Sequence, residues 1–122
     1  MAWKVWKAAF RDDGGASYGS PAAAGDRVIF GSRNKTVFCL DRVSGRSRWV
    51  FAAGEAVDSS PVIAGSRVYV GCDNGRIYCL DLPSGHKVWQ YALGGVVSAS
   101  PAIGSDRLVI GSSNGRLYCF QK

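Results

Sequence analysis

Apolar and polar residues alternate along this chain in runs too short for helices. "RVYVGC" from Arg67 and "RIYCLD" from Arg76 carry apolar side chains at every second position, which is the period of a strand. "SSPVIA" ahead of them reads as a first short strand opening on Pro61, a place where a strand tolerates proline. "KVWQYAL" makes a fourth. Between them lie "AGSR", "DNG" and "PSG", and Asn74-Gly75 predicts a two-residue hairpin turn because that pair readily takes positive φ. Four antiparallel strands in some forty residues make one propeller blade.

The unit then repeats. Ser20-Pro21, Ser60-Pro61 and Ser100-Pro101 recur at a spacing of forty, as do Arg27, Arg67 and Arg107, then Gly31, Gly71 and Gly111, then Asn34, Asn74 and Asn114. Ser60 to Asp81 and Ser100 to Gln121 share ten identities in 22 positions, so the copies are related and already diverged. No 3.6-residue apolar period runs through them, which excludes a helical solenoid. Stacked hairpins in a sandwich remain an alternative, but repetition at a fixed length favours a radial array. The expected order is an outer strand in residues 2–10, blade 1 in 18–53, blade 2 in 58–93 and three strands of a third blade in 98–121. The fold class is all-β.

Cys39 to Trp49 ("CLDRVSGRSRW") and Cys79 to Trp89 ("CLDLPSGHKVW") share the pattern C-x-D-x-x-S-G-x-x-x-W. It resembles the tryptophan-docking motif A-x-D-x-x-x-G-x-x-x-W of quinoprotein propellers, with cysteine in place of alanine. "SSPVIAGSRVYVGCDNGRIYCLDLPSG" is likewise similar to the pyrroloquinoline quinone-like repeat of bacterial outer-membrane assembly lipoproteins. The likeness covers almost the whole chain and implies a β-propeller. In physical terms, Asp41 and Asp81 accept hydrogen bonds from the turn that follows each, and Gly45 and Gly85 supply its positive φ. Trp49 and Trp89 would lie against the neighbouring blade, with the small Cys39 and Cys79 leaving room for the indoles. Cys119 holds the same place in the third copy, and all three are expected to be small buried hydrophobes.

Three blades cannot close a ring, since propellers run from about four to eight. Trp6 can take the part of Trp49 and Trp89 on the amino-terminal strand, which would supply what the third blade lacks. The chain is therefore expected to associate head to tail with a second copy into a six-bladed homodimer, each amino-terminal strand pairing with the other's last blade. Nine blades from three chains, and a piece of a longer seven- or eight-bladed propeller, are the alternatives.

Composition narrows the function. Apolar residues at 47% and charged residues at 20% describe a folded chain. No apolar run is long enough for a membrane span, and Lys4 and Lys7 interrupt any leader core, so a cytoplasmic protein is expected. The formal charge of +6 comes from scattered basic residues that form no cluster, so no specific nucleic acid is expected. Equivalent cysteines in successive repeats stand too far apart to bond. There is no C-x-x-C pair and only one histidine, His86, so neither zinc nor a Ser-His or Cys-His couple is expected. "GSRNKT" lacks the spacing of a phosphate loop.

The quinoprotein likeness carries an enzymatic hypothesis, since those dehydrogenases have an adjacent-cysteine disulfide and acidic calcium ligands. Here there is no Cys-Cys pair, and only Asp12, Asp13, Glu55 and Asp58 stand outside the repeat turns. No catalysis, cofactor or metal is therefore expected. Segments entering the innermost strands should ring one mouth of the channel and place Tyr18, Ser20, Asp58, Ser60, Ser98 and Ser100 there. Such a ring could hold a cation, a small polar molecule or a peptide loop; a water-filled channel is the plainer alternative. A scaffold binding itself and other proteins is the expected function.

Overall fold

A computed structural model describes residues 19–121. Trp6, Tyr18 and the expected strand at 2–10 fall outside them. Eleven strands and no helix occur among the described residues. The first sheet runs in the order β1 (Ala22–Ala24), β2 (Arg27–Ser32), β3 (Thr36–Asp41) and β4 (Ser47–Ala52). The second repeats it with β5 (Val62–Ala64), β6 (Arg67–Gly71), β7 (Arg76–Asp81) and β8 (Lys87–Ala92). The third has β9 (Ala102–Ile103), β10 (Arg107–Gly111) and β11 (Leu117–Gln121). All pairs are antiparallel, and the short innermost strands β1, β5 and β9 lie side by side. These are the blades of a propeller, packed face to face.

The sequence explains the turns, with one correction. Asp41 accepts hydrogen bonds from the amides of Val43 (3.1 Å) and Ser44 (2.8 Å) and from the Ser44 hydroxyl (2.9 Å). Asp81 does the same for the Ser84 amide (3.1 Å) and hydroxyl (2.7 Å). Gly45 and Gly85 close those turns at φ 76° and 78°. The Asn74-Gly75 turn, however, is not the two-residue type expected. The Cys72 amide donates to the Arg76 carbonyl at 2.9 Å, and only Gly75 has positive φ, so the loop has three residues ending in a left-handed position. Asn74 is occupied elsewhere: its Nδ2 donates to the Ala53 carbonyl (3.1 Å) and to Tyr78 Oη (2.9 Å). Blade 1 puts Lys35 at the glycine position, at φ 71°.

Blade 2 is apolar on both faces because both are covered. In β7, Tyr78 and Leu80 turn toward blade 1 and join Ile29, Val37, Cys39 and Trp49, while Ile77 turns toward blade 3 and joins Leu108 and Ile110. Glycine sets how closely blades approach: a Cβ on Gly31 would strike Val57, and one on Gly71 would strike Val97. Trp49 locks the first junction. Its Nε1 donates to the Leu82 carbonyl at 2.8 Å, and the ring lies on Gly85, where a Cβ would overlap it. Cys39 pairs across the strands with Trp49, and Cys79 with Trp89; both cysteines are buried. Cys119 corrects the expectation, since it is exposed. Among the described residues β11 pairs only with β10, so no fourth strand covers this thiol.

Two outcomes follow. Trp49→Ala, which empties the first junction, should cost about 3–5 kcal/mol in urea unfolding. Lys35→Gly should raise stability by about 0.5–1 kcal/mol, because glycine relieves the left-handed backbone at some entropic expense to itself.

Candidate functional site

Two regions offer chemistry: the mouth of the channel and a cleft between blades 2 and 3. At the mouth, serines entering the innermost strands tie neighbouring blades together. The Ser20 amide donates to Ser60 Oγ at 2.6 Å, and the wholly buried Ser59 hydroxyl donates to the Ala99 carbonyl at 2.8 Å. Ser60 therefore serves a blade contact, whereas Ser98 and Ser100 remain exposed. Tyr18 lies outside the described residues.

Asp58 meets partners that the sequence pattern had not singled out. Arg33 Nη1, from the β2–β3 turn, donates to Asp58 Oδ2 at 2.7 Å. Asp73, from the β6–β7 turn, faces Asp58, and burial together with that neighbouring carboxyl pushes Asp73 up to about 6. Oδ1 of each aspartate is buried without another partner, which a proton held between the two carboxyls would satisfy. Asp73 and Arg33 occupy the same position in their repeats, forty residues apart, as does Ser113. Comparing repeats for difference rather than identity would have found them.

The cleft lies between blades 2 and 3, bounded by the β5–β6 and β9–β10 turns with Trp89 of β8 and Phe120 of β11, and has a volume of about 720 Å³. Trp89, Tyr69 and Phe120 form its wall, with ring centroids 6.1 Å apart for Trp89–Tyr69 and 5.7 Å for Trp89–Phe120. Arg67, paired with Asp81 at 3.3 Å, and Arg107, paired with Asp106 at 3.0 Å, stand at its rim. At the first junction the turn Leu82 to Gly85 covers Trp49. The corresponding turn of blade 3 would begin at position 122, outside the described residues, and Trp89 is only half-buried.

Among the described residues, no nucleophile stands beside a base at either place. Burial pushes the thiols of Cys39, Cys72 and Cys79 above their ordinary value, so they hold their protons near neutrality. All four cysteines are free. Among the described residues no three histidine, cysteine or acidic side chains gather as a metal site would need. Nor is any helix there long and apolar enough to cross a membrane.

Comparison with known proteins agrees with this geometry. The chain is similar to the crystal structure of BamB from Moraxella catarrhalis, with a TM-score of 0.80 and 28% identity over 88% of this chain and 34% of that one. The chain thus spans about a third of that protein's length. The quinohemoprotein alcohol dehydrogenase of Comamonas testosteroni shares the fold at 17% identity, with a TM-score of 0.76 over 87% of this chain and 19% of the enzyme. The computationally designed Ika4 protein does so at 16% identity, with a TM-score of 0.73 over 83% of this chain and 63% of the design. No curated protein matches the sequence. The family described as outer membrane protein assembly factor BamB matches residues 3–122, almost the entire sequence, and the chain belongs to that family of PQQ-like repeat propellers.

Proposed function

We propose that this chain is a protein-binding scaffold without catalytic activity, which works as part of a closed propeller ring that a second copy completes. One observation carries the reading: blade 3 turns an apolar face outward. By the alternation seen in β7, residues Leu117 and Cys119 of β11 point away from blade 2, and both are exposed, Leu117 at 74%. A blade face of this kind is covered at both other junctions, so its exposure calls for a partner. The family's description as an assembly factor supports protein binding as the role. The buried thiols keep their protons near neutrality and offer no ready nucleophile. Free cysteines suit a reducing compartment such as the cytoplasm.

A second reading has its own support. Because the chain spans 34% of the Moraxella BamB, the three blades can equally be a segment of one longer propeller, with the missing blades supplied by the same polypeptide. In either case the mouth is the surface left for a polar ligand or a peptide loop, with Ser98, Ser100 and the Asp58–Asp73 pair at hand. Of these groups, Asp73 gains its charge as pH rises through about 6.

Light scattering across a concentration series tests the ring: two chains per particle are expected, and a compact single chain would overturn it. Titration with pyrroloquinoline quinone should give neither binding nor dye-linked dehydrogenase activity. Asp73 is pushed up in the fold, so the folded state holds a proton that the unfolded chain releases. Its stabilisation is present in acid and lost as pH rises through about 6. Asp73→Asn should therefore raise the melting temperature at pH 7.5 by about 2–4 °C after allowance for solvent screening, and by less at pH 4.5.

A further inference from the structure

β11 presents two unmet demands at one edge. Its outer backbone edge has no partner among the described residues, and Leu117 and Cys119 on the adjoining face are exposed. In the second blade the same edge is taken by β8, which begins Lys87-Val88-Trp89. Those three residue types recur in the same order as Lys4-Val5-Trp6, followed by Lys7, Ala8 and Ala9 where β8 has Gln90, Tyr91 and Ala92. Residues 4–9 thus carry the sequence of a fourth strand.

Connectivity says which blade that strand serves. β4 leads through nine residues, 53–61, into β5 of the next blade, and β8 leads through nine residues, 93–101, into β9. A fourth strand therefore always feeds the first strand of the blade that follows. A fourth strand at residues 4–9 would feed β1 and would therefore belong to the blade that precedes blade 1 around the ring. The chain's own β11 lies two blades away in the opposite direction. In a ring of two copies, the blade preceding blade 1 is the third blade of the other copy.

We propose that residues 4–9 of a second copy add to β11 as the fourth strand of blade 3, in the register that places Ala8 opposite Leu117 and Trp6 opposite Cys119. The proposal rests on the ring reading above and names the segment that closes it. The register comes from blade 2, where Ile77 pairs with Tyr91 and Cys79 with Trp89. Main-chain hydrogen bonds satisfy the open edge, as in other strand additions, and the indole of Trp6 covers the thiol that is now exposed. The same indole reaches back to its own blade 1. Trp49 lies on Gly85 and donates to the Leu82 carbonyl, and forty residues earlier the corresponding groups are Gly45 and the carbonyl of Arg42. Each copy would thus brace, through its own blade 1, the strand that it lends.

Cross-linking in the full chain tests the pairing. Ala8→Cys and Leu117→Cys are placed on separate chains, each with Cys119→Ser so that the exposed native thiol cannot compete, and the two chains are co-expressed and mildly oxidised. A covalent dimer is expected on a non-reducing gel. Replacing Ala8→Cys by Ala9→Cys should lower its yield several-fold, because that side chain points to the opposite face. Two chains per particle by light scattering with no cross-link would overturn the strand exchange and leave the ring standing. An intrachain disulfide in the Ala8→Cys, Leu117→Cys double variant would overturn it too, since the strand would then serve its own β11. A single chain by scattering would remove the ring itself.

Discussion

A four-stranded sheet with apolar side chains on both faces has no interior of its own. β7 shows this most plainly, with Tyr78 and Leu80 buried against blade 1 while Ile77 is buried against blade 3. The hydrophobic core of this protein is therefore not inside any blade but between blades. Each junction depends on a close approach, which Gly31 and Gly71 permit by having no Cβ to strike Val57 and Val97. Trp49 then contributes about 4–6 kcal/mol by area removed from water, as an upper value. Its seat on Gly85 and its bond to the Leu82 carbonyl fix which turn it meets. A blade is consequently stable only as far as its neighbours are present, and the end blades decide what the whole chain must do.

The hydrogen bonds divide the labour further. Ala53, at the end of blade 1's outer strand, has its carbonyl filled by Asn74 Nδ2 and by the Tyr78 hydroxyl of blade 2. Leu93 receives the same pair of bonds, from Asn114 at 3.0 Å and Tyr118 at 2.7 Å. These clamps hold the connecting segments where they leave one blade for the next and satisfy carbonyls that would otherwise be orphaned at a packed junction. The junctions are thus fixed by glycines, tryptophan and amide clamps, together with the Ser20–Ser60 and Ser59–Ala99 contacts at the mouth.

How much of this could be read beforehand follows from where the repeat constrains the residue. The blades, their strand order and the Asp41 and Asp81 turns were legible, because period-two patterning and turn chemistry are local properties. The role of Asn74 was not: the pair Asn74-Gly75 reads as a tight hairpin, yet the side chain is drawn off to a carbonyl 21 residues away, which only the packed neighbour supplies. Cys119 was misjudged for a related reason. Its repeat position promised burial, but Cys39 is buried because the next blade packs on its face and a fourth strand lies beside it, and neither is present at Cys119 among the described residues. Arg33 and Asp73 escaped notice because a search for sameness passes over the places where copies differ.

Those differences carry the functional argument. At the junctions a substitution meets backbone or a ring at contact distance, so the copies stay alike. At the mouth the turn position held by Arg33 in blade 1 holds Asp73 in blade 2 and Ser113 in blade 3, and Asp58 is answered by Ser98. Neighbouring blades therefore present a cation, a titrating acid and a hydroxyl in sequence around the same rim. Arg33 and Asp58 already join across one junction at 2.7 Å, and the Asp73 carboxyl gains its negative charge only as pH rises through about 6. In a ring of two copies the series would occur twice, giving a rim of alternating character that matches a polar, mixed-charge partner better than a simple anion or cation. The divergence of the copies is then what gives a repetitive scaffold a face that can be recognised.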